Sequence, residues 1–483
     1  LHPVAHSFPT RRSSDLGSYT SFVDQQHNAT QGRQIVYAGY SNAACDNIYM
    51  NWMDIQFIAG NEVRDVHVAI YQFDNDAWDN SVSGGSTTGL TGGRPGYCHI
   101  EVTPGTTWPV HSFHFGGDQQ PLYTHASYGA LCADYAMIHD TLPGASISTF
   151  DTGYEGDDID QPYIWPHFDI ELNASGDLVT HVGSYEASND PADASLIEVS
   201  SLVYERKVAT STSTPWTGTW DAPVLIDSTY VGSQLVFAVP GTDSVFYVYL
   251  KPLYYQSGPN QHYCTNGLGH YQFNNNVVYK LSTNNGVSWP ATPTYVTDYG
   301  VNFEDAKADP ASYDISGLID DDHVLHLVWS GSKKDPENPC GTFYAGQMWH
   351  WDSDNNCVSI AYDASEPALF PGGTDFGAWN IVISKMNVSV CDGKLYIAFT
   401  RFGNEYYVNA DGDKVATMDF GVNDGTSPFF MNGDIFVVVS ENGGQTWSDG
   451  VNLTDTQTDT CVSGECDSEH WPSMAMYMND SLM

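Results

Sequence analysis

Short apolar runs alternate with turn-forming residues along the whole chain. A turn rich in Asp, Asn or Gly repeatedly leads into a short run of mainly aliphatic and aromatic residues that ends in a bulky side chain. Clear copies occupy residues 48–52, 110–114, 246–250, 325–329 and 395–399, residues 178–182 form a weaker copy, and a seventh copy would begin at residue 482. Apolar runs of this kind between turn residues are typical of β-strands.

Most of these runs follow an earlier strand-like run. The earlier runs occupy residues 34–37, 97–102, 167–172, 234–239, 387–390 and 473–477. Two such runs joined by a tight turn predict a β-hairpin. In the first copy, residues 66–71 have the pattern of a third strand.

Four antiparallel strands repeated around a ring form a β-propeller. We therefore predict an all-β fold, a β-propeller of four-stranded antiparallel blades. We expect seven blades, with six or eight as alternatives, and a last blade that is truncated. The copies lie further apart than the ~40–50 residues of compact blades, which leaves room for long loops between strands.

Two segments share the pattern S-x-N-x-G-x-[S/T]-W and directly follow apolar runs. The defining residues are Ser282, Asn284, Gly286 and Trp289 in the first segment and Ser440, Asn442, Gly444 and Trp447 in the second. Ser and Asn side chains can bond nearby backbone groups, Gly accepts a positive φ, and Trp anchors the returning strand. The pattern predicts a hairpin turn closed by its own side chains.

This pattern resembles the Asp box, or BNR repeat, of sialidase-like β-propellers, with Asn at the Asp position of both copies. By repeat pattern the resemblance covers residues 32–483, whereas only the two segments match a specific motif. The resemblance implies a propeller fold. It implies little about chemistry, because in that family the box normally lies away from the catalytic face.

The chain divides into three parts. Residues 1–16 are similar to a translated sequencing adapter, so we treat them as a non-native segment. Residues 17–31 form an N-terminal lead-in, and residues 32–483 form a single β-propeller domain that we expect to be incomplete at its C-terminus. Further domains of the same full-length chain are compatible with this organisation.

Charge and cysteine content narrow the partners and the compartment. The chain has 16 Lys and Arg against 59 Asp and Glu, a formal net charge of -43. Nucleic acids and anionic membrane surfaces need clustered Lys and Arg, so both are poor partners, and no apolar stretch is long enough for membrane insertion. Cysteines without CxxC pairs favour disulfides, with Cys461 and Cys466 as the candidate pair, and an extracellular or cell-surface location.

The resemblance to sialidases implies a specific set of residues at the channel face. That family holds the substrate carboxylate with three arginines and uses an Asp acid/base and a Tyr activated by a Glu. Arg33, Arg94 and Arg401 lie next to predicted hairpins and are the candidate ligand-binding residues, with a salt bridge as the alternative role of each. The family's first-blade F/Y-R-I-P sequence is absent, since Gln34 follows Arg33. No catalytic residue is assigned, and Tyr204-Glu205 is the first place to look for the Tyr/Glu pair.

Histidine, acidic and aromatic residues suggest further chemistry. We assign no metal site and no cofactor, although turns such as residues 409–413 leave a structural calcium ion as an alternative to a solvated turn. His111 and His326 occupy a repeat position that Tyr fills elsewhere, which favours packing over metal ligation. For Trp78, Trp165 and Trp351, which lie beside acidic loops, packing between blades is favoured over stacking on a sugar ring.

These observations predict a secreted or cell-surface sialidase-like β-propeller. We expect it to bind extracellular glycan, glycoprotein or another protein through its channel face, without demonstrated catalysis. One alternative is an exo-sialidase-type glycoside hydrolase, and another is a structural module of a larger surface protein. The hydrolase alternative requires three arginines to meet beside a Tyr/Glu pair and an Asp.

Overall fold

The computed structural model shows a chain that is almost entirely β. It describes residues 32–41, 47–58, 61–73, 77–79, 96–104, 109–117, 120–128, 148–149, 163–186, 199–211, 218–230, 232–252, 254–257, 260–263, 275–298, 310–334, 342–367, 369–370, 374–376, 380–416, 421–422, 429–456, 461–462 and 468–478. One short helix, α1 (Ala38–Ser41), follows the first strand. Among these residues no helix is both long enough and apolar enough to span a bilayer.

Successive four-stranded antiparallel units account for most strands. The first three units are β1 (Ile35–Tyr37), β2 (Asn47–Ile58), β3 (Asn61–Gln72) and β4 (Ala77–Asp79); β5 (Gly96–Val102), β6 (Pro109–Gly117), β7 (Gln120–Tyr128) and β8 (Ser148–Thr149); and β9 (Tyr163–Leu172), β10 (Leu178–Glu186), β11 (Val199–Val208) and β12 (Val224–Tyr230). In each unit the strands pair in sequence order, as expected for consecutive hairpins.

The fourth and fifth units are joined by one pairing, between Asn275 and Ala311. The fourth unit contains β13 (Gln234–Ala238), β14 (Val245–Pro252), β17 (Asn275–Ser282) and β18 (Thr294–Tyr295), with the hairpin β15 (Tyr254–Ser257) and β16 (Asn260–Tyr263) inserted. The fifth contains β19 (Ala311–Ile319), β20 (Leu325–Lys334), β21 (Thr342–Asp352) and β22 (Cys357–Ala364).

The sixth unit carries the largest insertion. It contains β24 (Ile383–Cys391), β25 (Lys394–Phe402), β30 (Gly433–Ser440) and β31 (Val451–Asn452). Short strands surround it: β23 (Thr374–Asp375), β26 (Tyr406–Val408), β27 (Lys414–Ala416), β28 (Gly421–Val422), β29 (Phe429–Phe430) and β32 (Cys461–Val462). Of these, β26 and β27 form a hairpin, whereas β23 pairs with β29 and β28 with β32 in parallel.

The predicted hairpins are confirmed. All six apolar runs lie in the second strands of the units, β2, β6, β10, β14, β20 and β25, and residues 66–71 lie in the third strand β3. The first strand of the fifth unit, β19, escaped prediction because polar residues such as Asp314 and Ser316 interrupt its apolar pattern.

The first strands of the units contact one another in sequence order, from β1 to β5, β9, β13, β19 and β24. Residues 473–478 then lie beside β24, where the Val390 amide donates to the Met476 carbonyl at 2.9 Å and Val390 pairs with Tyr477 in parallel. On the other side the Gln34 amide donates to Ser473 Oγ at 3.0 Å. We call the space among these strands the channel.

The two ends of the channel differ in their loops. Tight connections such as residues 173–177 and 392–393 join the first strands to the second strands at the short-turn face, where the first strands end. The connections at the long-connection face, where the first strands begin, are longer, and their described parts include residues 365–367, 380–382 and 403–416. Long connections in a compact domain commonly carry function.

Apolar faces of neighbouring units pack against one another. The largest buried cluster joins the fourth, fifth and sixth units and includes Phe237, Trp329 and Phe399. A second cluster joins the third and fourth units around Tyr204 and Tyr247. The core is therefore distributed between adjacent sheets, which fixes the first strands around the channel.

The two S-x-N-x-G-x-[S/T]-W segments form the predicted turn. Ser282 Oγ accepts from the Gly286 amide at 3.0 Å, and Ser440 Oγ accepts from the Gly444 amide at 2.8 Å. Both glycines have positive φ, and a Cβ would overlap the Tyr204 ring at Gly286 or the His350 ring at Gly444. Each turn thus rests on a ring from the preceding unit, at the short-turn face.

Three cysteines in the described part of the chain have thiols that are not in disulfides: Cys98, Cys357 and Cys391. Cys461 lies in β32, whereas its candidate partner Cys466 lies outside the described residues. The predicted Cys461–Cys466 pair therefore stays a prediction.

Candidate functional site

A polar cavity of about 60 Å³ lies in the channel toward the long-connection face. Its lining comes from the beginnings and middles of the first strands: Gly32, Arg33, Gln34, His99, His167, Leu235, Phe237, Asp314, Ile315, Ser316, Gly317, Lys385, Met386, Asn387, Trp471, Pro472, Ser473 and Met476. The cavity lining thus brings together charged and imidazole side chains, each of which would be costly to bury alone. Such concentration of polar groups in a cavity is typical of a binding site.

Four bulky residues at this end of the channel have a left-handed backbone. They are Tyr97, Trp165, Lys385 and Trp471, with φ of 55°, 53°, 57° and 63°. Each precedes by two positions a residue of the first-strand ring: His99, His167, Asn387 and Ser473. Left-handed φ at a bulky residue costs about 1–3 kcal/mol and persists only where the surroundings enforce it, commonly at functional sites.

Three of these four residues form an aromatic rim, which we define as Tyr97, Trp165 and Trp471. All three are half-buried, and the Tyr97 and Trp165 rings meet edge to face at 5.8 Å. Lys385 Nζ lies 3.7 Å from the centre of the Trp471 ring. Trp165 therefore has an accessible part, whereas Trp351 is buried and packs in the core.

Two histidines tie neighbouring first strands together. The Phe168 amide donates to His99 Nδ1 at 3.4 Å, and the Val236 amide donates to His167 Nδ1 at 3.2 Å. The two rings lie 4.3 Å apart. Because a backbone amide can only donate, Nδ1 is the acceptor in both rings and the proton of each neutral ring is on Nε2.

The acid two residues after each histidine behaves differently. Glu101 Oε1 lies 3.0 Å from His99 Nε2 and accepts a hydrogen bond from its N–H. Asp169 instead accepts from the Ala238 amide at 2.7 Å and from the Ile170 amide at 2.7 Å. His167 Nε2 has no hydrogen-bond partner in the described part of the chain.

Burial keeps both imidazoles neutral. Desolvation, aided by the Arg33 charge, lowers the pKa of His99 to about 3. Desolvation, aided by His99 and Arg33, lowers the pKa of His167 well below its usual value. The two rings are therefore hydrogen-bond donors and acceptors rather than proton carriers at neutral pH.

Arg33 crosses the channel. Its guanidinium donates to the carbonyls of Met474, of Gly317 at 3.3 Å and of Val388 at 3.1 Å, which belong to three different segments of the ring. Arg33 is 7% exposed. Its first role is thus to join β1 to the opposite side of the channel.

Asp314 and Lys385 lie together in the lining of the same cavity. The Lys385 amide donates to Asp314 Oδ2 at 2.7 Å. Burial raises the pKa of Asp314, an effect opposed by the Lys385 charge and by hydrogen bonds from backbone amides. The cavity therefore contains a buried cation and a buried acid on adjacent first strands.

A second cavity of about 290 Å³ lies in the channel toward the short-turn face, and its wall includes Glu101, Asp169 and Glu171. Desolvation is the main cause that raises the pKa of Glu101 to about 7, of Asp169 to about 7 and of Glu171 to about 8. Mutual repulsion adds to the rise for Asp169 and Glu171. These groups therefore hold protons near neutral pH.

The candidate arginines do not share one environment. Arg33 lines the first cavity, whereas Arg401 is buried in the second strand β25 and donates to the carbonyls of Phe402 at 2.7 Å and Glu366 at 2.9 Å. Arg94 lies outside the described residues. Tyr204 of the proposed Tyr/Glu pair bonds to His181 at 2.6 Å in the third unit and lines neither described cavity.

No group of three or more His, Cys, Asp or Glu in the described ranges is arranged to hold a metal ion. In residues 409–413, Asn409 Oδ1 accepts from the amides of Asp411 and Asp413 at 3.0 and 2.8 Å. His326 is hydrogen-bonded as well as packed: its Nδ1 lies 3.0 Å from His350 Nε2, and its Nε2 lies 3.1 Å from Asp320.

The sequence contains signals for the channel residues that the arginine search missed. The segments His99-Ile-Glu101 and His167-Phe-Asp169 repeat a His-x-acid pattern at matching places in consecutive first strands. The dipeptide Trp-Pro also recurs, at Trp165 and Trp471, just before the ring positions.

No family model matches the chain, and no curated protein was found to be similar. Solved structures with some similarity include an endo-arabinase from Bacteroides thetaiotaomicron VPI-5482, at 9% identity over 71% of this chain and 98% of that chain with TM-score 0.32. Another is the polysaccharide lyase Uly1, at 10% identity over 90% and 93% of the two chains with TM-score 0.35. A thermostable family-43 glycoside hydrolase gives 10% identity, 66% and 91% coverage and TM-score 0.34. Likeness at this level assigns neither a family nor an activity to the chain.

Proposed function

We propose that the protein binds extracellular glycan at the long-connection end of its channel. The observation that carries the proposal is a cavity with buried polar groups that Trp471 lines, and whose lining residues His99 and His167 follow Tyr97 and Trp165 by two positions. Sugar rings present C–H faces that pack on aromatic side chains, and their hydroxyl groups need fixed donors and acceptors. The rim and the cavity supply these two requirements in one place.

The electrostatics of the site agree with a sugar ligand. The cavity contains the donors Arg33, Lys385 and His167 together with Asp314, whose pKa is raised by burial, so it offers both donors and acceptors. The two S-x-N-x-G-x-[S/T]-W turns lie at the opposite, short-turn face, which leaves the long-connection face for ligand. An extracellular or cell-surface location, with glycan or glycoprotein as partner, fits the acidic chain.

The architecture we infer is a seven-bladed propeller. The six units supply six first strands, and residues 473–478 occupy a seventh position between β24 and β1. Arg33 supports this arrangement because it bonds to the carbonyl of Met474 in the seventh position. A small-angle scattering profile that matches an open arc rather than a ring would contradict it.

The test of glycan binding is native electrophoresis through gels that contain xylan, galactan, polygalacturonate, chondroitin sulfate or a sialylated glycoprotein. We expect at least one of these to retard the protein. Trp471→Ala and Tyr97→Ala should weaken retardation by roughly 2- to 13-fold, since an aromatic contact contributes about 0.5–1.5 kcal/mol.

The matched control is Tyr295→Ala, which removes an aromatic side chain that is 44% exposed in β18, outside the channel. This variant should be retarded like the native protein. Binding to none of the polymers, or equal retardation of all variants, would reject the proposal and favour a purely structural module.

A second candidate function is glycoside hydrolysis, favoured by the acids of the larger cavity. Hydrolases pair a protonated carboxyl group with a carboxylate, and Glu101, Asp169 and Glu171 have pKa values of about 7 to 8 in one cavity. The test is the release of reducing ends from the polymers above. We expect release to fall above about pH 7 and in Glu101→Gln and Asp169→Asn; no release from any polymer would reject this candidate.

A further inference from the structure

The small cavity is too narrow for a whole sugar ring. At about 60 Å³ it has room for on the order of four water molecules. A sugar on the aromatic rim can therefore send only a projecting group into the channel. The side chain that meets this group decides which sugars fit.

His167 is the side chain placed to meet it. It is 6% exposed, lines this cavity, and has its Nδ1 occupied by the Val236 amide. Its Nε2 carries the proton and has no partner in the described residues. Unlike His111 Nε2, this nitrogen is not fully enclosed by the chain, so it faces the space of the cavity, where an acceptor from outside the chain can meet it.

We propose that His167 Nε2–H donates a hydrogen bond to an oxygen of a group that projects from the bound sugar, a hydroxymethyl or a carboxylate. The proposal rests on the glycan binding proposed above. His99 occupies the corresponding position on the neighbouring first strand, but its Nε2–H is taken by Glu101. Only one of the two equivalent rings is therefore open to ligand.

The decisive variants separate the two nitrogens of the ring. In His167→Asn, the amide oxygen keeps an acceptor near the Nδ1 position for the Val236 amide, while the Nε2 donor is lost. In His167→Gln, an amide N–H can reach the Nε2 position, while the acceptor for Val236 is lost. His181→Asn is the matched control, since His181 is likewise a buried histidine, in β10, and lines neither described cavity.

Binding is measured with soluble galactan and polygalacturonate, which present a hydroxymethyl group and a carboxylate at C6. We expect His167→Asn to weaken binding of the retained polymer about tenfold, the effect of losing one hydrogen bond, with His167→Gln and His181→Asn within about twofold of the native protein. Urea unfolding should show the larger stability loss in His167→Gln.

The outcomes distinguish this inference from the proposed function. If Trp471→Ala weakens binding but His167→Asn does not, or if His181→Asn weakens it equally, the role of His167 is structural and the inference is wrong. If neither polymer binds the native protein, both are rejected for these ligands, and the inference has no basis. Preference for polygalacturonate over galactan would identify the projecting group as a carboxylate, and the reverse as a hydroxymethyl.

Discussion

The two His-x-acid segments of the channel, His99-Ile-Glu101 and His167-Phe-Asp169, share a pattern and differ in their bonds. Both histidines accept the amide of the next first strand through Nδ1. Glu101 then bonds back to His99, whereas Asp169 bonds forward to the Ala238 amide. A single methylene group separates the two acids.

The difference shows how a repeated fold can make one position structural and another available for ligand. The longer acid satisfies its own histidine and closes the first segment. The shorter acid is held by two backbone amides, which leaves the second histidine open toward the cavity. The repeated unit gives both histidines the same backbone position, and the length of the acid two residues later decides whether the histidine Nε2–H is already bonded.

Arg33→Met is expected to change the free energy of unfolding most. The reason is that Arg33 lies next to the segment His99-Ile-Glu101 and crosses the channel. Its loss leaves carbonyls of Gly317, Val388 and Met474 without a donor and removes the charge that interacts with Glu101. We expect a loss of about 3–5 kcal/mol in the free energy of unfolding, measured by urea denaturation.

The control for that variant is Arg206→Met. Arg206 is partly exposed, pairs with Asp221 and donates to the Asn285 carbonyl at 2.8 Å, so its loss should cost about 1–2 kcal/mol. Equal losses for the two variants would show that Arg33 does not join the two sides of the channel.

The raised pKa values of the channel carboxyl groups make their contribution to stability fall as pH rises. A carboxyl group whose folded pKa is raised stabilises the fold fully below its unfolded pKa and loses that contribution as pH passes through the folded pKa of about 7. The unfolded histidines titrate near pH 6.5 and add an opposite rise, which the native protein and a Glu101 variant share. Glu101→Gln keeps an acceptor for His99 and removes only the carboxyl contribution, so the stability of the variant relative to the native protein should increase by on the order of 2–3 kcal/mol between about pH 5 and 8.

Asp411→Asn, on the exposed turn of residues 409–413, is the control with the same change in charge. Its stability relative to the native protein should stay constant between about pH 5 and 8. A stability of Glu101→Gln that follows pH in parallel with that of the native protein would contradict the buried, protonated state of Glu101.

Exchanging the two acids should change binding with the smallest energetic effect. In Asp169→Glu the added methylene lets the carboxylate reach His167 Nε2, as Glu101 reaches His99, and the ligand donor is lost. We expect about tenfold weaker retention by the polymer that the native protein binds, equivalent to about 1.4 kcal/mol. Glu101→Asp should leave retention unchanged. If Glu101→Asp weakens retention and Asp169→Glu does not, His99 rather than His167 is the histidine open to ligand.

The sequence predicted the strands better than the site, for a physical reason. Strand and turn signals are local, so the second strands and the Ser282 and Ser440 turns could be located from their own residues. The channel depends on bonds between residues far apart, such as His167 and Val236. No local pattern reports such a bond, and only the repeat of His-x-acid in two first strands indicates it.

The arginine prediction shows the same limit. Arg33 and Arg401 both lie beside hairpins in sequence, but Arg33 lies on a first strand and Arg401 on a second strand. The strand's place in its unit decides whether the side chain meets the channel. Trp165 shows the converse, since its left-handed backbone at the rim is set by its neighbours and not by the residue itself.

The most direct test of the account is the nitrogen NMR spectrum of the protein labelled with ¹⁵N-histidine, assigned with His99→Asn and His167→Asn. We predict that both rings are neutral with the proton on Nε2 from pH 5 to 8. Addition of the retained polysaccharide's oligomers should shift the Nε2 resonance of His167 and leave that of His99 in place. An imidazolium signal from His167 in this range, or equal shifts of both rings, would contradict the assignment of His167 as the open donor.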